Sequence, residues 1–377
     1  MSQLTNDALD QIMGFDPRNL DVFQEKGPRQ DPNVYKTNPR DAKSDDGVYR
    51  SRVKVILNPF SPKESIVPQA SYWLKSQDGS MAVRSSLSIG DRNCPLFKCW
   101  KRVWFQGDDN TAEGKAIREK ARARAKSIFE KTESQWVLVQ ILEDENKPEL
   151  VGQFKVMKLA RDIYDKLIAI MSPSAASKKQ AYPVMDYVIG LELNIEVQPG
   201  PDDPSAPERK QREISYSLSQ FGSYATIIKT DGTQLLTDEE TELVDNYVTA
   251  ANDAQNGKTD KKRSDGAKKV AELRPKLRPI YAKVIEYVRE NLKDVTTGQP
   301  LDIVKYCGYQ PWDENTATVV NHFIEIVDAG YSPENMGYEQ LKAMQANANT
   351  AQIPVVEKAE PTTTAGPADP ADPELPF

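Results

Sequence analysis

Arg212-Glu-Ile-Ser-Tyr-Ser-Leu-Ser219, continued after Gln220 by Phe221-Gly-Ser-Tyr224, is the stretch on which the reading of this chain turns. Ile214, Tyr216 and Leu218 alternate with Glu213, Ser215, Ser217 and Ser219. That period of two predicts a half-buried strand with the apolar set inward. The strand delivers two aromatics, Phe221 and Tyr224, into a turn that contains a glycine. Aromatics exposed on such a turn offer stacking faces to unpaired bases. Turned inward, the same two rings would close a core, and buried aromatics are common. Both readings stay open on these residues alone.

Working outward, Pro199-Gly-Pro-Asp-Asp-Pro204 breaks the chain, so the 212–219 strand is expected to return antiparallel to Val188–Val197. There Ile189, Leu191, Leu193, Ile195 and Val197 alternate inward. Trp136–Leu142 is almost continuously apolar and predicts a strand buried on both faces. Val53–Leu57, Ser71–Lys75, Met81–Leu87 and Val151–Met157 read as further strands, with a hairpin turn at Gln77-Asp-Gly79. Ala160–Met171 reads as a helix with Ile163, Leu167, Ile170 and Met171 on one side. The class expected is α+β: a small antiparallel barrel with helical insertions.

Strand character fades after Ile227–Gly232. A capped helix is expected from about Leu235 to Ala251, and residues 256–269 read as a basic linker. A second helical stretch runs from Val270 to Leu292 and is expected to break at Pro275 and Pro279. Glu314–Ala329 and Ser332–Met344 complete a helical set. The chain thus divides into a flexible arm (1–47), a β core (48–235), a helical module (236–346) and a disordered, acidic, Pro-rich tail (347–377).

The 377 residues carry a net charge of −7, and the three cysteines, Cys94, Cys99 and Cys307, form no paired framework. That usage suits a reducing, cytoplasmic compartment. Neither a basic-then-apolar leader nor an apolar run of membrane-spanning length is visible. The single histidine, His322, lies in an amphipathic helical pattern and reads as structural. Phosphate loops, dinucleotide fingerprints and nucleophile elbows are absent from the sequence, and Asp162, Asp165 and Asp186 form no carboxylate triad. An enzyme is not expected.

Acidity overall hides a segregated charge. Between Lys98 and Lys131 there are ten Lys or Arg against five Asp or Glu, beside Trp100, Trp104 and Phe105. A charge run is usually a solvated face, but cations interleaved with aromatics can track a phosphate backbone while stacking bases. The candidate phosphate contacts are Lys98, Lys101, Arg102, Arg122, Arg124, Lys126 and Lys131. The candidate stacking faces are Tyr72, Trp73, Trp104, Trp136, Tyr216, Phe221 and Tyr224.

The series over Val48–Thr226 resembles the gene 32-type single-stranded DNA-binding proteins of T-even phages. Val53–Pro59 resembles that family's first core strand, Asn93-Cys94-Pro95 its cysteine-proline subdomain, and Lys131-Thr132 with Trp136 its entry to the next strand. Phe154-Lys155 and the helix bearing Ile163, Asp165-Lys166 and Met171 resemble its strand-helix step, and Phe221-Gly-Ser-Tyr224 its base-stacking pair. The resemblance implies an oligonucleotide-binding (OB) barrel with insertions. The family also binds zinc through one histidine and three cysteines. Here only Cys94 and Cys99 lie in that stretch, Ser85 and Ser86 stand roughly where another cysteine would be, and no metal or other cofactor is expected. Glu374-Leu375-Pro376-Phe377 resembles the acidic tip by which bacterial single-stranded DNA-binding proteins dock replication and repair enzymes.

The function these features imply is stoichiometric: coating single-stranded DNA during phage replication, recombination and repair. The tail would dock partners and compete with DNA, and the N-terminal arm would contact a neighbouring copy. The alternatives are a virion or assembly protein of a phage and an enzyme of nucleic-acid metabolism.

Overall fold

The computed structural model describes residues 31–76, 79–174, 180–199, 214–328 and 330. Among them nine strands join one sheet: β1 (Val34–Tyr35), β2 (Tyr49–Ile56), β3 (Ile66–Ser76), β4 (Gly79–Ser85), β5 (Phe129–Asp144), β6 (Phe154–Leu159), β7 (Leu191–Pro199), β8 (Ile214–Ser215) and β9 (Gln220–Tyr224). Seven α-helices accompany them: α1 (Pro95–Trp104), α2 (Ala112–Ile128), α3 (Arg161–Met171), α4 (Asp238–Asn256), α5 (Asp260–Asn291), α6 (Ile303–Cys307) and α7 (Glu314–Asp328). The fold is α+β.

The length of β5 organises the sheet. Its first half pairs with β3, Val137 opposite Ile66, and its second half with β2, Leu138 opposite Ile56. The strands β2 and β3 therefore lie end to end along one edge of β5, and β6 takes the other edge from Gln135 to Gln140. The order runs β1-β6-β5-β2-β7-β8, with β9 also on β7 and the β3–β4 hairpin branching from β5. Among the described strands only β1 and β6 pair in parallel. Among the described residues no pairing joins β1 to β8 or β9, so the sheet is open.

Alternation along these strands splits the side chains between two cores. Val53, Val55, Val137, Val139, Ile141, Leu193 and Ile195 pack against Ile163 and Leu167 of α3. Ile56, Leu138, Phe154 and Val156 face the other way, onto Val244 of α4 and Leu277, Ile280, Val284 and Val288 of α5. The C-terminal helices thus share a core with the sheet. A third core lies under the hairpin, where Tyr72, Leu74 and Val83 meet Leu96, Cys99, Ala125, Ile128, Phe129, Val320, Phe323 and Val327.

Two polar side chains are buried in the face beneath α4 and α5. Lys54 donates to the Gly190 carbonyl at 2.9 Å and to the Ala225 carbonyl. Gln140 donates to the carbonyls of Gly152 (3.0 Å) and Ile228 (2.7 Å) and accepts from the Ile228 amide (3.0 Å). Each supplies hydrogen bonds to a backbone segment that leaves the ladder, as buried polar groups require.

Several expectations hold and several fail. The hairpin forms, with Ser76 opposite Gly79. Strand β5 is buried on both faces from Val137 to Ile141. Thr237 and Glu240 make a reciprocal capping box at the start of α4. The arm expected over 1–47 is ordered from residue 31: Tyr35 is buried and β1 adds to the sheet. Its earlier residues, the 332–344 helix and the tail lie outside the described residues. Pro275 and Pro279 do not break the helix, because both sit inside continuous α5. Their lost amide donors are offset by the apolar row Leu273, Leu277, Ile280, Val284 and Val288.

The opening stretch is the sharpest correction. Among the described residues 214–219 only Ile214–Ser215 is strand, and Ile214 and Leu218 are 43% and 50% exposed. Ser219, expected outside, is fully buried. Its hydroxyl accepts from the Glu196 amide at 3.0 Å and donates to the Glu196 carbonyl at 3.1 Å. A side chain thus replaces the ladder where the backbone turns, and the turn shifts the alternation.

Candidate nucleic-acid interface

Pro95 opens α1 at a position where its missing N–H costs nothing. Leu96, Cys99 and Val103 point into the third core, and the spacing 97, 100, 104 puts three rings on an adjoining side. Phe97 and Trp100 stack with centroids 6.2 Å apart, and Trp100 and Trp104 with centroids 5.0 Å apart. Phe105, 52% exposed, meets Trp100 edge-on at 6.1 Å.

Cations line this ladder. Lys131, on β5, holds its ammonium 5.1 Å from the Trp100 ring centre and 5.7 Å from that of Phe97. Arg122, exposed on α2, lies 5.7 Å from the Trp104 ring centre. The helix that carries it buries only Gly114, Ala121, Ala125 and Ile128, so small residues on the inner side draw α2 close while its cations face out. Lys98, Lys101 and Lys126 are exposed around the same face. Cation–π contacts of about 0.5–1 kcal/mol at exposed sites fix the long side chains without neutralising them.

Two of the expected phosphate contacts are committed to another task. Arg102 donates to both carboxylate oxygens of Asp328 (2.9 and 2.7 Å), and Arg124 donates to the Val327 carbonyl at 3.2 Å. Together they fasten the end of α7 over α1 and α2. Lys131 also pairs with Glu133 at 2.6 Å.

The candidate stacking residues do not converge. Tyr72 is fully buried in the third core, where burial raises its phenol pKa, and it presents no face to a base. Trp73, the next residue, points to the opposite face of the hairpin and is 39% exposed. Trp136 is half-buried, its indole N–H donating to Gln69 and Ser134 at 3.1 Å each. Tyr216 is half-buried with its hydroxyl 3.0 Å from that of Thr37. Phe221 and Tyr224 lie in β9, not in a turn, and three residues along a strand they face opposite ways. Phe221 packs on the α3 side of the sheet and Tyr224 on the α4–α5 side. Among the described residues no hydrogen bond, ion pair or ring contact joins either to α1 or α2. Residues 374–377 lie outside the described residues.

Phe97 is the ladder member that the sequence reading passed over, and Trp100, noted in the aromatic cluster, was not among the expected stacking faces, although their spacing with Trp104 was visible. Ser85, expected to stand near a missing cysteine, lies with its hydroxyl 3.0 Å from the Cys94 sulfur. Burial pushes the Cys99 thiol up to about 11, so it stays protonated at neutral pH. Among the described residues no group of three or more His, Cys, Asp or Glu side chains gathers as for a metal ion. None of the helices described is long and apolar enough to cross a membrane. A scan of protein-family models and a search of curated proteins found no match to this chain.

Proposed function

We propose that the chain binds single-stranded DNA without sequence preference, through the face formed by α1, α2 and Lys131. The observation that carries this reading is the Phe97–Trp100–Trp104 ladder with Arg122 and Lys131 set against it, amid exposed Lys98, Lys101 and Lys126. Phosphates displace counterions from these cations, and counterion release supplies most of the affinity. Phe105 and the exposed ring edges offer apolar contact to bases, a sequence-tolerant interaction. The sheet then plays the part of an open relative of the OB barrel, with the helices as insertions. The biological role that follows is the coating of strands in phage replication, recombination and repair. The 347–377 tail would compete for the cations, and its Leu375-Pro376-Phe377 end would dock partner enzymes.

Arg122→Ala combined with Lys126→Ala tests the reading. Both side chains are exposed, so folding is retained. Affinity for oligo-dT and for mixed-sequence strands should fall alike, and the salt slope should lose about 1.4, at roughly 0.7 per phosphate contact. An unchanged affinity and slope would make this face merely solvated.

A further inference from the structure

We infer that the exposed side of the first half of α5 is a second contact surface for a nucleic-acid phosphate backbone, separate from the α1–α2 face. The inference rests on the reading of the chain as a nucleic-acid binder. Residues 258–278 hold nine Lys or Arg against three Asp or Glu. Lys258, Lys261, Lys268, Lys269, Arg274 and Arg278 are all exposed, and none makes an ion pair among the described residues. The preceding antiparallel helix, α4, has six acids and no Lys or Arg. Its acids lie mostly in the 238–245 half; Asp253 alone reaches the α5 start, pairing with Lys262 at 2.9 Å. Charge is therefore segregated along the pair rather than balanced across it.

Helix stability does not account for this placement. The amino end of a helix carries partial positive charge, so cations in the first turn are disfavoured. Lys262 and Arg263 there are paired with Asp253 and Asp260, but Lys261 stands in the first turn with no ion pair among the described residues, behind the Thr259 cap. A bound polyanion would offset that cost. A cleft of about 290 Å³ between α4 and α5, where Lys261, Lys262 and Lys269 stand with Asp253 and Asp265, lies at this end.

Geometry selects phosphates over bases. From Lys261 to Arg278 the helix spans about 25 Å, at 1.5 Å per residue, long enough to meet several phosphates. No aromatic residue occurs in 258–278, so nothing there stacks on a base. The surface suits either the continuation of a strand that starts on α1–α2 or a duplex flanking it, since both present the same phosphodiester chemistry.

The test uses full-length protein and a variant with Lys261→Gln, Lys268→Gln, Arg274→Gln and Arg278→Gln, its fold checked by circular dichroism and melting. Both are titrated over a salt series with a short oligo-dT, a long oligo-dT, and a short oligo-dT joined to a duplex. The variant should match the parent on the short strand and bind more weakly, with a shallower salt slope, on one of the longer ligands. Loss on the long strand assigns a continuing strand, and loss on the junction assigns a duplex. If the parent binds none of the three, the reading as a DNA binder fails. If the parent binds and the variant matches it throughout, only the α5 surface is refuted. Unchanged DNA binding with lost binding to a synthetic peptide of residues 347–377 would also refute it, giving the surface to an acidic peptide instead.

Discussion

Replacing Lys54 by Met tests how the sheet holds the segments that leave it. The ammonium is fully buried and donates to the carbonyls of Gly190, before β7, and Ala225, after β9. Burial brings its pKa down from the ordinary 10.5 to about 7, although Asp186 and Glu192 favour the charged form. Below pH 7 the folded state thus keeps an expensive charge, at about 1.4 kcal/mol per pH unit of depression or roughly 5 kcal/mol in all. Between pH 7 and 10.5 the unfolded chain binds the proton more tightly, so stability rises with pH. Methionine removes the charge but leaves two carbonyls without their donor, at about 1–3 kcal/mol each. Urea unfolding of both proteins from pH 6 to 9 measures the difference. The parent should gain about 2 kcal/mol over the variant between pH 7 and 9, and the variant should match or exceed the parent at pH 6. Parallel stability curves over that range would refute the buried, titrating lysine.

Tyr72→Phe removes a buried hydroxyl that has no hydrogen-bond partner among the described residues. The melting temperature should hold or rise, by up to about 1 kcal/mol of stability, with DNA affinity unchanged; a clear loss of affinity would return Tyr72 to the interface. Elemental analysis of the purified protein should find no stoichiometric zinc, because Ser85 and not a third thiol faces Cys94; one zinc per chain would contradict this. Deleting residues 347–377 should tighten binding to single strands, most at low salt where screening is weakest, and unchanged titrations would make the tail passive. Phe377→Ala should leave DNA affinity intact while losing replication or repair partners in a defined pull-down, and retention of those partners would sink the docking role.

Local patterns carried much of the fold. The apolar run at 136–142 marked the doubly buried strand, Thr237 and Glu240 marked a helix start, and Ile163 with Leu167 marked a buried helical side. What failed depended on partners far along the chain. Ser219 is inside because Glu196 offers it two backbone groups, and α5 survives two prolines because the sheet packs its apolar row. The basic segment was legible as composition, and the 97, 100, 104 spacing was available to locate its ladder. That Arg102 and Arg124 would be taken up by Asp328 and Val327 was not legible, since those contacts span 226 and 203 residues. Nor could alternation alone show that Phe221 and Tyr224 would occupy an edge strand, where a spacing of three sends them to opposite faces.

The most direct test of the central claim is a fluorescence titration of the full-length protein with oligo-dT and with a duplex of equal length, repeated across a salt series. Preferential binding of the single strand is expected, with affinity falling linearly on a logarithmic salt scale by about 0.7 per phosphate contact. Absence of binding to oligo-dT at low salt, or equal affinity for the duplex with no dependence on salt, would contradict it.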